Sequence, residues 1–140
     1  LHAPDFNLID ASTGKKMSSG ELKGKVIFIN FWASWCNPCR EEMPSIERLF
    51  RHFKNDSEFI VLTILYKDSP ENGIGYLKQN NLSFPLMIEK SVETAASFGV
   101  TGVPETYIID KKGILRKKFL GPYEWDSQDS VSFISGLLKE

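Results

Sequence analysis

The sequence predicts an α/β fold: a central mixed β-sheet flanked by helices on both faces, with an N-terminal β extension and an inserted βα segment. Three observations predict it. Two near-continuous apolar runs, "KVIFINFWA" (Lys25–Ala33) and "EFIVLTILY" (Glu58–Tyr66), read as central strands buried on both faces. The segment between them carries apolar residues at helical spacing, and strand–helix–strand implies a parallel pair with a right-handed crossover. A late hairpin pattern, Glu105–Gly121, adds antiparallel strands and makes the sheet mixed.

Taken in order, "PDFNLIDASTGKKMS" gives a small strand pair turning at Thr13–Gly14. After the first central strand, "NPCREEMPSIERLFRHFK" places Met43, Ile46, Leu49, Phe50 and Phe53 on one helical face. Pro38 suits the first turn of that helix, and Pro44 is expected only to kink it. "SPENGIGYLKQNN" reads as a helix beginning near Pro70, weakened by Gly73 and Gly75. "FPLMIE" is a short strand, and "SVETAASFGV" a short helix ending at Gly99. In "ETYIIDKKGILRKKFLG" two alternating strands flank a Lys-Lys-Gly turn. Its basic residues, Lys111-Lys112 and Arg116-Lys117-Lys118, read as an exposed edge guarded by charge. "DSQDSVSFISGLLKE" closes the chain as a helix capped by Asp126 or Ser127. Beyond residue 24 the order is βαβα(βα)ββα. Residues 1–140 are expected to form one domain, with residues 1–24 as the β extension. Trp32, Phe84 and Phe98 are assigned to packing.

At 140 residues the chain is long enough to bury a core without staples. A net charge of -1 gives no electrostatic case for a nucleic-acid or anionic-membrane partner. No apolar run approaches the ~20 residues needed to span a bilayer. The chain opens on Leu1 rather than Met, which fits an N-terminal signal or anchor lying outside it.

The only two cysteines, Cys36 and Cys39, stand two residues apart where the first apolar run stops. A zinc site usually takes four Cys and His ligands, and only these two, His2 and His52 are present. His2 is expected at a mobile terminus and His52 in a charged helix. A structural staple is disfavoured because so short a loop removes little unfolded-state entropy. A redox-active pair is the leading reading, with no bound cofactor or metal. A thiol attacks a disulfide as thiolate, and a helix N-terminus offers Cys36 unpaired N–H groups and a positive dipole end. Cys39, one turn inside, is expected to be more buried. Cys36 would then attack and Cys39 resolve the mixed disulfide.

"FWASWCNPC" resembles the active-site segment of the thioredoxin superfamily, and the element order from Lys25 onward matches that fold. "TGVPETYIID" resembles the superfamily's cis-proline segment. The resemblance implies a thioredoxin-like fold, a cis Val103–Pro104 bond, and a Val103 backbone that pairs with substrate as an added strand. "CREEMP", "GVTGVPETYIID", "FLGPYEW" and the opening "APDFNLID" are similar to the TlpA/ResA/CcmG (DsbE) branch, the opening being shared with peroxiredoxins. That branch implies an extracytoplasmic, membrane-tethered bacterial reductase of cytochrome c maturation. Its implied partners are apocytochrome c or a carrier upstream of it, and a membrane thiol donor of the CcdA or DsbD type. A monomer is expected.

The resemblance also implies site roles. Where thioredoxin has a buried Asp in the active-site strand, this chain has Asn30, which cannot take a proton from Cys39. Glu42 is then the candidate general base, with burial raising its pKa. Trp35, Asn37 and Pro38 are expected around the groove with Val103, Pro104 and Glu105. Glu105 is expected to tune the site or touch substrate, against the plain reading of an exposed strand charge. Asn37-Pro38 lies nearer the Glu-Pro of ResA than the Gly-Pro of thioredoxin.

Three other functions compete with the reductase. A peroxiredoxin needs a P-x-x-x-T-x-x-C context, and "INFWASW" supplies neither the Pro nor the Thr. A disulfide oxidase or general dithiol carrier on the same fold differs from the reductase in potential, which sequence does not separate. A non-catalytic binding module would not need both cysteines, the helix start and the proline together.

Overall fold

A computed structural model describes residues 1–89 and 91–140. Seven strands and four helices follow the expected order: β1 (Asn7–Asp10), β2 (Lys16–Ser18), β3 (Val26–Trp32), α1 (Asn37–His52), β4 (Phe59–Leu65), α2 (Pro70–Gln79), β5 (Leu86–Ile88), α3 (Glu93–Phe98), β6 (Glu105–Ile109), β7 (Leu115–Leu120) and α4 (Gln128–Leu138). A short 3-10 turn at Ser19–Leu22 joins β2 to β3. The strands form one sheet in the order β2-β1-β5-β4-β3-β6-β7.

Strand β3 sits at the centre because both of its faces are apolar, and all seven of its residues are buried. It runs parallel to β4 and antiparallel to β6. The N-terminal hairpin extends the sheet by pairing β1 antiparallel to β5. Side chains alternate across β3. Val26, Phe28 and Trp32 face one layer with Met43, Ile46 and Leu49 of α1 and Ile134 and Leu137 of α4. Ile27, Ile29 and Phe31 face the other with Phe6, Leu8, Ala95 and Phe98.

One residue of β3 breaks the first face. Asn30 lies among its apolar neighbours, fully buried, and is paired in register with Thr106 on β6 and Thr63 on β4. A seam of polar groups therefore crosses the sheet under α1.

The terminus departs from expectation. His2 bridges Ile114, Leu115 N–H donates to the Leu1 carbonyl at 2.9 Å, and Ala3 N–H donates to the Gly113 carbonyl at 2.9 Å. The hairpin turn behind β6 offers unpaired backbone groups, and the terminal residues satisfy them. Among the described residues no helix is long and apolar enough to cross a membrane.

Candidate active site

The site begins where β3 ends. After Trp32 the chain leaves the sheet, turns through Ala33–Trp35 and enters α1, so the strand's C-terminal end delivers Cys36 to the helix start. Cys36 is the N-cap of α1, and its Sγ accepts the Cys39 backbone N–H at 3.2 Å. Asn37 and Pro38 occupy the exposed first turn, where a missing proline N–H costs no helical bond. Cys36 and Cys39 form a disulfide. Cys36 is 6% exposed and Cys39 is fully buried, which makes Cys36 the outer sulfur.

The turn is held from the neighbouring loop. Asp68 accepts from Ser34 through its backbone N–H at 2.8 Å and its hydroxyl at 2.6 Å. Trp35 is 59% exposed, and its indole N–H donates to the Lys67 carbonyl at 3.1 Å. Lys67 itself has φ 52°, a left-handed conformation that turns its carbonyl toward the redox loop. Sequence reasoning missed this tie, because the Asp-Ser-Pro triplet marks only a helix start. Burial pushes the Asp68 carboxyl up, but the bonds from Ser34, Asn72 and Ser69 outweigh it and leave its pKa below the ordinary value.

Opposite this turn, the loop between α3 and β6 presents Val103 and Pro104. The Val103–Pro104 peptide is cis. The Val103 carbonyl oxygen lies 3.6 Å from Cys36 Sγ, which sets the backbone of that loop beside the outer sulfur. Pro104 is buried and Val103 half-buried.

Glu105 requires a correction. Its carboxylate does not line the groove: it is 3% exposed and points to the opposite face of the sheet from Cys36. Its Oε2 accepts the Thr101 N–H at 3.1 Å and the Gly102 N–H at 3.3 Å. Its Oε1 accepts the Tyr107 hydroxyl at 2.7 Å. The residue after Pro104 starts β6, and strand alternation sends its side chain inward, so it reaches the groove only through the loop it fastens.

Glu42 lies on α1, three residues beyond Cys39 and so on the same helix face. It is 1% exposed. Three donors converge on it: Asn30 Nδ2 at 2.9 Å on Oε1, and the Tyr123 N–H at 2.9 Å and Trp125 Nε1 at 2.7 Å on Oε2. Burial raises its pKa from the ordinary 4.5 to about 7, and the bonds from Trp125, Tyr123 and, with its amide N–H turned toward Oε1, Asn30 pull the other way. Ser45, one turn on, shares its single hydroxyl hydrogen between the Glu42 backbone carbonyl at 2.9 Å and the Tyr123 carbonyl at 3.2 Å, and accepts the Trp125 N–H at 3.0 Å, which fixes the same loop to the helix. Tyr123 is 46% exposed and Leu120 62% exposed, so this loop presents apolar surface. Among the described residues no group of three or more His, Cys, Asp or Glu side chains could hold a metal ion.

A buried, redox-linked sulfur pair with a titratable acid on the same helix face is the chemistry of thiol–disulfide exchange. Comparison with known proteins agrees. The AhpC/TSA family matches residues 1–118 of this chain. The thioredoxin-like protein YneN of Bacillus subtilis (strain 168) is 35% identical over 120 residues, which cover 85% of this chain and 69% of YneN. A thiol-disulfide oxidoreductase ResA of Bacillus cereus is 35% identical over 122 residues, covering 85% of this chain and 68% of ResA. Among solved structures, a protein of Bacteroides thetaiotaomicron superposes with a TM-score of 0.89 at 29% identity, covering 99% of this chain and 89% of that one. A thiol:disulfide interchange protein of the thioredoxin family from Chlorobium tepidum TLS superposes with a TM-score of 0.82 at 28% identity, covering 98% and 95%. The chain thus belongs to the AhpC/TSA family, and within its thioredoxin-like fold it is a thiol-disulfide oxidoreductase of the ResA type.

Proposed function

We propose that this protein reduces protein disulfides outside the cytoplasm through the Cys36–Cys39 dithiol. Its substrate is apocytochrome c with an oxidised haem-attachment pair, or a carrier upstream of it. A membrane thiol donor of the CcdA or DsbD type returns the electrons. The likeness to ResA supports this reading. The observation that carries it is the N-cap geometry: the Cys39 N–H aimed at Cys36 Sγ from 3.2 Å favours the thiolate at the outer sulfur.

The steps follow from the two sulfurs. Cys36 thiolate attacks one sulfur of the substrate disulfide, whose S–S bond breaks as the mixed disulfide forms. The displaced substrate thiolate takes a proton from solvent. Cys39 gives its proton to the Glu42 carboxylate and attacks Cys36 Sγ. The second substrate thiolate leaves and is protonated from solvent, to which Glu42 releases the proton it took. Two electrons and two protons pass to the substrate, the Cys36–Cys39 disulfide is left behind, and the two cysteines are the only redox group invoked. Substrate backbone pairs with Val103 beside the outer sulfur, next to the exposed Trp35.

The test is the reduction potential of the couple at pH 7 against glutathione or dithiothreitol. A value at or below about -220 mV supports a reductase fed by a membrane donor. A value near about -120 mV, that of a strong oxidant, overturns it in favour of disulfide insertion. Capture of apocytochrome c by a Cys39→Ala variant then tests the substrate.

A further inference from the structure

We propose that Asn30 is a positioning residue that follows the proton on Glu42: its side-chain amide donates to the carboxylate, then turns through half a rotation to accept from the carboxylic acid. The inference rests on the proposed role of Glu42 as proton acceptor for Cys39.

The geometry sets the problem. Asn30 Nδ2 donates at 2.9 Å to both Glu42 Oε1 and Thr106 Oγ1, while Asn30 Oδ1, equally buried, has no hydrogen-bond partner. Every bond to the Glu42 carboxylate comes from a donor, which suits the ionised form alone. A protonated Glu42 must donate. Its Oε2 already faces a backbone N–H and an indole N–H, and neither can become an acceptor. The proton therefore belongs on Oε1, where it would meet the Asn30 N–H.

Only Asn30 can resolve that clash. The two ends of a primary amide are nearly equal in size, and a half rotation exchanges donor for acceptor in place. Turned over, Oδ1 accepts from the Glu42 acid and from the Thr106 hydroxyl, whose hydrogen rotates freely. One end of the amide is then unpartnered in each state, Oδ1 in the first and Nδ2 in the second. The cost is thus similar on both sides of the protonation, and the pair favours neither strongly. Fixed donors alone would hold the acid ionised, and an apolar lining alone would hold it protonated. Asn30 leaves the buried acid free to cycle.

The groups facing Glu42 are few. Among the described residues its carboxylate is bonded by Asn30 on β3, with Thr106 on β6 beyond it, and by Tyr123 and Trp125 on the loop before α4; Cys39 lies one turn back on its own helix, and Ser45 bonds its backbone carbonyl. Among the described residues no Lys, Arg, His or second carboxylate bonds to it. When the disulfide is reduced, the Cys39 thiol adds a titratable group one helical turn from Glu42.

Nuclear magnetic resonance on labelled protein tests the proposal in both redox states from pH 5 to 9. The Glu42 side-chain carboxyl carbon reports its protonation. A through-hydrogen-bond coupling from Asn30 Nδ2 to that carbon reports the amide. The expected result is a coupling present at high pH and lost at low pH, with the same midpoint as Glu42. A Glu42 that titrates beneath an unchanging amide overturns the switch and leaves the proton relay standing. A Glu42 that does not titrate across the range overturns the relay and the switch with it.

Two variants add a second reading. Trp125→Phe removes a fixed donor and raises the Glu42 midpoint by about one pH unit or more. Asn30→Leu removes a partner from both protonation states and leaves the midpoint within about half a pH unit of wild type. A rise in Asn30→Leu as large as that in Trp125→Phe shows Asn30 to be another fixed donor and overturns the proposal.

Discussion

Trp125 Nε1 donates to Glu42 Oε2 at 2.7 Å, so the loop after the last strand is fastened to the carboxylate beneath the redox helix. The same carboxylate oxygen takes the Tyr123 N–H, and the Tyr123 side chain is exposed. The loop that carries Tyr123 and Trp125 is therefore joined to the titrating side chain through Oε2.

The first prediction concerns pH. In the folded oxidised protein the Glu42 carboxyl titrates at about 7, against an ordinary 4.5. Between those values the folded state binds more protons than the unfolded chain, so its stability falls as pH rises from about 4.5 to about 7 and is level above. At about 1.4 kcal/mol per pH unit, the full loss is about 3 kcal/mol. Urea unfolding of oxidised wild type and Glu42→Gln at pH 5 and pH 8 checks this. The difference in stability between the two pH values is expected to be smaller in the variant by most of that amount, since part of the loss falls below pH 5.

Glu105→Ala tests the latch behind the groove. It removes the acceptor for Thr101, Gly102 and Tyr107. A loss of about 2 kcal/mol in stability is expected from the buried donors left behind. Because the loop it fastens carries Val103, kcat/KM for an extended peptide disulfide is expected to fall by about tenfold, as for about 1.4 kcal/mol of lost transition-state stabilisation. Reduction of a small-molecule disulfide, which has no strand to pair, is expected to change little. Equal losses on both substrates would contradict the latch.

Two glycines of α2 should respond with opposite signs. A Cβ at Gly73 would meet Leu65 Cδ1 at 2.6 Å and Leu86 Cδ2 at 3.1 Å, whereas a Cβ at Gly75 meets nothing within 4 Å. Gly73→Ala is expected to destabilise by about 1–3 kcal/mol through overpacking. Gly75→Ala is expected to stabilise by about 0.5–1 kcal/mol, since alanine loses less backbone freedom in a helix. Thermal unfolding of the two variants reads both.

Sequence pattern carried the backbone well because period and punctuation are local. The unbroken apolar run of β3, the serine caps at Ser69 and Ser127, and Gly99 in the left-handed conformation at the end of α3 are each visible in a few neighbouring residues. The redox pair was legible for the same reason: two cysteines at a strand-to-helix turn. What escaped was long-range. Glu105 looks like an exposed strand charge until Thr101 and Tyr107 close around it. Trp125 stands 83 residues from Glu42, and only folding makes it a ligand of the carboxylate. Asp68 resembles a turn residue, and nothing local announces that it holds Ser34. Asn30 stands out in the sequence only as a departure from thioredoxin; its paired acceptors, Glu42 and Thr106, come from two other elements.

The most direct test of the mechanism is which sulfur is trapped. Reduced Cys39→Ser and Cys36→Ser variants are each mixed with an oxidised peptide carrying a C-x-x-C-H pair, and the products are read by intact mass spectrometry. The mechanism predicts a lasting mixed disulfide on Cys36 in the Cys39→Ser protein and little adduct on the Cys36→Ser protein. Adduct accumulating on Cys39 instead would contradict the assignment of Cys36 as attacking and Cys39 as resolving thiol.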